Sequence, residues 1–297
     1  MSTNTPRAVF VTRETDYELL LAHHATRDQA RFFLETRGQR LETIEARHAQ
    51  FGEVLKGARD SVPSKWRQTL VKRADFDRFL FGPEDVVVAV GQDGLVANVA
   101  KYLDGQPVLG VNPAPELYDG VLVRVPLARL THLLPASLQG DVAVEKRTMV
   151  EAVLDSGERL LALNEIFVGH RSHQSARYRI AVDGVEEDHS SSGLIAASGT
   201  GATGWARSIM EATGTHLPIA PDEQAVAYFV REPFPSVATG TSLRAGKLTG
   251  AGLAITSRMN DGGTVFADGM ERDHIAFDWG RRLVIAPADR ALNLVVA

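Results

Sequence analysis

Over the first 112 residues, short apolar runs alternate with segments of helical period. Ala8-Val9-Phe10-Val11-Thr12 reads as a buried strand. Leu41, Ile44, His48, Phe51, Leu55 and Ala58 then recur at three- and four-residue steps, which predicts one face of a long amphipathic helix. Trp66 to Lys72 reads as a strand, and Ala74 to Phe81 as a short helix. Asp85-Val86-Val87-Val88-Ala89-Val90 is polar only at its entry, as in a strand covered on both faces. Gly91 to Gly94 breaks the run, Leu95 to Leu103 has helical spacing, and Pro107 to Asn112 is again a strand. Strand and helix in this alternation predict a parallel α/β sheet.

Beyond residue 138 the texture changes to short strands. The candidates are Val142 to Leu154, Arg159 to Phe167, Ala176 to Val182, Gly193 to Ala197, Ala225 to Val230, Gly252 to Ser257 and Thr264 to Ala267. Turns such as Asp155-Ser156-Gly157, Val182-Asp183-Gly184 and Asp261-Gly262-Gly263 separate them, and one helix, Trp205 to Glu211, interrupts them.

Composition narrows the chemistry. The 297 residues are enough for about two domains. A net charge of −5 argues against broad nucleic-acid or anionic-membrane binding. With no cysteine there is no disulfide, thiolate nucleophile or cysteine metal site. The opening Met-Ser-Thr-Asn-Thr-Pro-Arg lacks an apolar leader, and no apolar run is long enough to span a bilayer, so a cytoplasmic protein is expected.

Three segments could carry chemistry. In Gly91-Gln92-Asp93-Gly94-Leu95, an acidic residue sits between glycines where a buried strand meets a helix, a place where ligands bind in open parallel sheets. Asp93 could act as a general base or hold a metal, or it could simply be the N-cap of an ordinary turn. In Asn164-Glu165 a polar pair interrupts an apolar strand, and it faces either a cleft or the solvent from an edge strand. Ser198-Gly199-Thr200-Gly201-Ala202-Thr203-Gly204 links a strand to a helix with small and hydroxylated residues suited to a sugar or phosphate. Gly199, Gly201 and Gly204 also fit a dinucleotide fingerprint, with Glu232 after the next strand as a ribose ligand, but no further strand–helix–strand unit follows. His23, His24, His170 and His173 are too few for a metal site, and His48 reads as a packed or interface histidine.

In their order and spacing the three segments resemble the NAD kinases, whose pattern is a Gly-Gly-Asp-Gly-Thr loop, an Asn-Glu pair and a Thr-Gly-Ser-Thr-Ala-Tyr-like loop. Val11 to Glu18, Glu45 to His48, Gly110-Val111-Asn112 with Pro115-Glu116, and Ser191 to Leu194 resemble the mitochondrial-type branch and its bacterial relatives. The resemblance implies an α/β Rossmann-like domain over 1–136, a β-rich, sandwich-like domain over 137–279, a tail, 280–297, returning to the first, and a ligand cleft between the domains. It further implies transfer of the γ-phosphate of ATP, carried with Mg2+, to the 2′-hydroxyl of the adenosine ribose of NAD, with Asp93 as base.

By the same resemblance, Gly91, Gln92, Gly94 and Asn112 meet the donor's phosphates. Gly94, Asn164, Glu165, Ser192, Thr200, Thr203, Gly204, Trp205 and Ser208 meet the acceptor, and the protein forms a homodimer or higher homo-oligomer. Gln92 and Leu95 depart from the family's glycine and threonine. Two alternatives follow from that departure: a nucleotide-binding homologue with impaired catalysis, and a kinase for a different nucleoside or sugar.

Overall fold

The computed structural model describes residues 5–296. Residues 1–4 of the opening segment and Ala297 of the expected tail lie outside them. The chain forms two compact units, one running to Glu145 and taking up again at Asn293, the other spanning Lys146–Leu292.

Unit 1 contains β1 (Arg7–Thr12), α1 (Asp16–His24), α2 (Arg27–Glu35), α3 (Leu41–Asp60), β2 (Arg67–Lys72), β3 (Asp85–Val90), α4 (Asp93–Ala100), β4 (Pro107–Val111) and α5 (Leu130–Gln139). Its strands pair in parallel in the order β2-β1-β3-β4. Val86, Val88, Val90, Phe10 and Leu109 pack there with Leu130, Leu134 and Ala58 from the helices. All six residues of β3 are buried, which accounts for its apolar run from Val86 to Val90.

The expected helix over 74–81 is a 3-10 turn, Arg73–Arg78, and the helix expected from Leu95 begins at Asp93 and ends at Ala100. α1, α2 and α5 were not foreseen. α1 buries no residue and so carries no apolar stripe. α5 contains Pro135, a helix breaker by sequence, yet it buries Leu130, Leu133 and Leu134. That burial, at roughly 1.5–3 kcal/mol per side chain, outweighs the roughly 3 kcal/mol a mid-helix proline costs.

In unit 2 the strands are β5 (Val144–Leu154, entering from unit 1), β6 (Arg159–Ala162), β7 (Glu165–His170), β8 (Ala176–Val182), β9 (Val185–Ser191) and β10 (Leu194–Ala197). After α6 (Trp205–Thr213) follow β11 (Val226–Val230), β12 (Ala245–Leu248), β13 (Leu253–Ser257), β14 (Gly263–Ala267), β15 (Ile275–Ala276) and β16 (Arg282–Val295). β16, β13, β8 and β9 form one antiparallel sheet, with β5 and β6 attached through β16. The other sheet has the order β12-β11-β10-β7-β14-β15. Val150, Ile180, Ile255 and Ile285 from the first sheet join Ile166, Val168, Ala196 and Val265 from the second in one core, as in a β-sandwich. Ala197, Ala227 and Phe229 turn to the opposite face of the second sheet and pack on Ala206 of α6.

The single strand expected over 159–167 is two, parted at Leu163-Asn164. β7 lies inside its sheet between β10 and β14, so the edge-strand reading of Asn164-Glu165 is overturned. No helix among the described residues is long and apolar enough to cross a membrane.

Candidate functional site

In unit 1 the chemistry gathers where β3 ends. Gln92 is the N-cap of α4 with an extended backbone (φ −98°, ψ 169°) and makes no side-chain cap bond. Asp93 is therefore the first helical residue, and the N-cap reading of it is corrected. Its carboxylate instead accepts from the backbone amides of Val121 at 2.9 Å and Leu122 at 2.8 Å. Those amides are brought in by the strand-like segment beside β4, where the Val125 amide donates to the Gly110 carbonyl at 2.8 Å. A carboxylate offers about four lone pairs, so two remain for a ligand hydroxyl.

Gly91 is buried, Gly94 is exposed, and Leu95 is buried directly beneath Gly91. Asn112 builds a loop: its amide group donates to the Tyr118 carbonyl at 2.8 Å, and its oxygen accepts from the Ala114 amide at 3.0 Å.

A cavity of about 710 Å³, its solvent mouth included, opens beside Gly91 and Gln92; Arg13, Tyr17, Arg47, His48 and Tyr118 are among its walls. Arg13 donates to the Gln92 side-chain oxygen at 3.1 Å, and the Thr15 hydroxyl lies 2.8 Å from His48 Nδ1. His48, expected to be a packed or interface histidine, lines this cavity. Arg13 and Arg47 were not foreseen as pocket residues. The signal available for the start of this wall was the Thr15-x-x-Glu18 capping box, whose two reciprocal bonds both form and start α1 beside the cavity.

In unit 2, Asn164 lies in the turn before β7 and Glu165 opens the strand. Burial, reinforced by the nearby Asp268 charge, raises the Glu165 carboxyl to about 7. The Gly/Thr loop follows β10, which runs antiparallel to both β7 and β11. It is therefore not the turn of a parallel strand–helix–strand unit, and the dinucleotide-fingerprint reading loses its structural basis.

The loop's tight glycines serve packing. A Cβ on Gly201 would lie 2.1 Å from the Asn164 carbonyl oxygen, and one on Gly199 2.0 Å from that of Ala220. Thr200 is buried, and its hydroxyl accepts from Arg147 at 3.3 Å; the Thr203 hydroxyl donates to the Thr200 carbonyl at 2.9 Å. Gly204 caps α6, and Trp205 opens it, 37% exposed. The indole is stacked with Phe167 (8° between planes, centroids 6.1 Å apart), and Arg231 sits 5.3 Å from its ring centre. Ser208 and Ser192 are exposed, Ser192 preceding β10 and Thr200 following it.

Unit 2 thus sets the Asn164-Glu165 turn against the loop carrying Thr200 and Thr203, through Gly201 and Ser198, and stacks Trp205 on Phe167 of β7. Asp93, Gln92, Asn112 and the cavity form a separate group in unit 1. Among the described residues no cluster of three or more histidine, aspartate or glutamate side chains is placed to hold a metal ion.

No family model matches the chain. It is 36% identical over 132 residues to an NAD kinase of Heliobacterium modesticaldum, covering 42% of this chain and 46% of that one. An NAD kinase of Burkholderia pseudomallei is 31% identical over 132 residues, covering 42% and 43%. The match therefore spans less than half the length of these curated relatives. Yeast NADH kinase solved with NADH superposes with a TM-score of 0.58 at 16% identity, over 99% of this chain and 84% of the kinase. An NAD kinase from Archaeoglobus fulgidus in complex with ATP gives 0.58 at 19% identity, over 98% and 93%. Similar in sequence to NAD kinases over two fifths of its length, the chain has the two-domain fold of the NAD kinases over nearly all of it.

Proposed function

We propose that the protein is an NAD kinase-like phosphotransferase of the mitochondrial-type branch, moving the γ-phosphoryl group of ATP to the 2′-hydroxyl of the adenosine ribose of NAD. The observation that carries this reading is the placement, within an NAD kinase fold, of the Asp93 turn, the Asn164-Glu165 turn and the Thr200–Trp205 loop at strand ends. The donor nucleotide occupies the cavity beside Gly91 and Gln92, its phosphates toward Arg13 and Arg47 and its base against the aromatic wall of Tyr17 and Tyr118. Magnesium arrives on the nucleotide as part of the substrate.

The acceptor is held by Asn164 and Glu165, with Trp205 offering a ring face to a base and the Thr200–Gly204 backbone lining the site. In the transfer the 2′-oxygen bonds to the γ-phosphorus as the bond to the β,γ-bridging oxygen breaks, and ADP leaves. Asp93 takes the hydroxyl proton on a lone pair that the Val121 and Leu122 amides do not use. Catalysis is then mainly positioning and charge neutralisation. Homo-oligomerisation belongs to the same proposal and is supported by the resemblance alone.

Incubation with ATP, magnesium and a panel of NAD, NADH and simple nucleosides, with products identified by mass, tests the reading. NADP and ADP are expected from NAD, with turnover lowered at least about 100-fold in Asp93→Asn. Tight NAD binding with no phosphorylated product from ATP or polyphosphate would overturn it in favour of a non-catalytic nucleotide-binding protein. Gln92 at the turn is the feature that favours that second reading.

A further inference from the structure

Asp268 follows β14 with a left-handed backbone (φ 50°). A side chain other than glycine adopts this only at a steric cost, so the surroundings must hold it there. From that position its carboxylate spans the Asn164-Glu165 turn. Oδ2 accepts from the Leu163 amide at 2.8 Å, and Oδ1 accepts from the amides of Asn164 at 2.7 Å and Glu165 at 3.2 Å. The Asp268 amide donates in return to the Glu165 carbonyl at 3.0 Å.

Ser198 completes the clamp. Its hydroxyl donates to the Leu163 carbonyl at 2.5 Å, and its amide donates to the Asn164 carbonyl at 2.9 Å. Every backbone amide and carbonyl of Leu163, Asn164 and Glu165 is thereby engaged by Asp268 or Ser198. A turn that only had to reverse the chain would not need a half-buried carboxylate holding its three amides and a buried hydroxyl holding one of its carbonyls. The two side chains it carries, a carboxamide and a carboxylate, are both half-buried and therefore presented rather than packed away.

We propose that Asp268, assisted by Ser198, is the positioning residue of the acceptor site: it locks the Leu163–Glu165 backbone so that Asn164 and Glu165 meet the acceptor's hydroxyl groups in a preset geometry. This rests on the acceptor assignment made above. A group held in place before binding loses less freedom on binding, and the gain appears as affinity. Asp268 also acts on Glu165 through its charge. The strands flanking β7 (Leu194–Ala197 and Gly263–Ala267) and the loop 198–204 carry no ionisable side chain. Arg147 reaches this loop from β5, at the Thr200 hydroxyl. Beside burial, Asp268 is the charge that raises the Glu165 carboxyl.

Asp268→Asn keeps an acceptor oxygen and a residue type that tolerates the left-handed backbone, while removing the charge and turning an NH2 toward the amides. Carboxyl 13C NMR of the full-length protein, with the Glu165 signal assigned through Glu165→Gln, reads the electrostatic link without any activity. The midpoint is expected to fall by about one pH unit in Asp268→Asn and to stay in place in Ser198→Ala. KM for NAD is expected to rise tenfold or more in Asp268→Asn and about threefold in Ser198→Ala, with kcat within about threefold of the parent in both.

A lowered melting temperature with unchanged midpoint and unchanged KM would reduce Asp268 to a structural clamp and overturn the proposal. If Asp268→Asn does not fold, Ser198→Ala decides: a raised KM supports positioning, and an unchanged one refutes it. A protein that neither binds nor phosphorylates NAD, but whose Glu165 midpoint still moves in Asp268→Asn, removes the acceptor assignment and leaves the Asp268–Glu165 link standing.

Discussion

At the scale of single residues, three carboxylates of similar appearance in the sequence have different surroundings. Asp93 and Asp268 accept from two and three backbone amides respectively, whereas Glu165 is half-buried beside the Asp268 charge and raised to about 7. A carboxyl raised on folding makes the native state bind more protons than the unfolded chain between its ordinary pKa and about 7. Stability is then fully present at low pH and is lost as pH rises through that window. Up to about 3 kcal/mol is involved. Thermal unfolding of wild type between pH 5 and 8 should show this decline; Glu165→Gln should remove it and melt higher at pH 8. Asp93 and the Asn164-Glu165 pair were legible as candidates from residue type and neighbours. Arg13 and Arg47 were not, because an arginine becomes a pocket wall only when α3 and the end of β1 are brought to the same cavity.

Among the elements, those whose burial follows one period were the readable ones: β3, buried throughout, and α3, whose apolar face was marked at three- and four-residue steps. Elements without such a signature were missed. β9 is polar because it is an edge strand, its Asp188 paired with Arg179 and Arg258 rather than facing a core. The turn between β3 and α4 also belongs at this scale. Gln92 sits in an extended conformation open to any residue, so the missing family glycine causes no backbone strain there. Gln92→Gly should change the melting temperature little. By releasing Arg13 and clearing the cavity wall, it should lower KM for ATP several-fold with kcat unchanged. Leu95→Thr, by contrast, removes buried apolar volume beneath Gly91 and should cost about 2 kcal/mol, read by denaturant unfolding. A double variant with unchanged donor kinetics would show that neither departure impairs the site.

For the molecule as a whole, β16 returns the chain to unit 1. Asn293 and Leu294 pair in parallel with Pro107 and Val108 of β4, Asn293 donates to the Gly105 carbonyl at 2.7 Å, and Val295 enters the unit 1 core. Ending the chain after Leu292 should cost unit 1 about 3 kcal/mol and lower hydrogen-exchange protection first along β4. Unchanged protection there would show that the returning segment is dispensable. The sequence by itself determined the change from α/β to β texture, the buried strands and the three chemical segments, because each rests on local period, turn chemistry or residue type. Only the tertiary structure decided that Asn164-Glu165 opens an interior strand, that Gly199 and Gly201 serve close backbone packing, and that Asp268 is clamped to a turn more than a hundred residues earlier. Such facts depend on which distant backbone groups meet, and a buried amide or carbonyl takes whichever partner the completed fold brings to it.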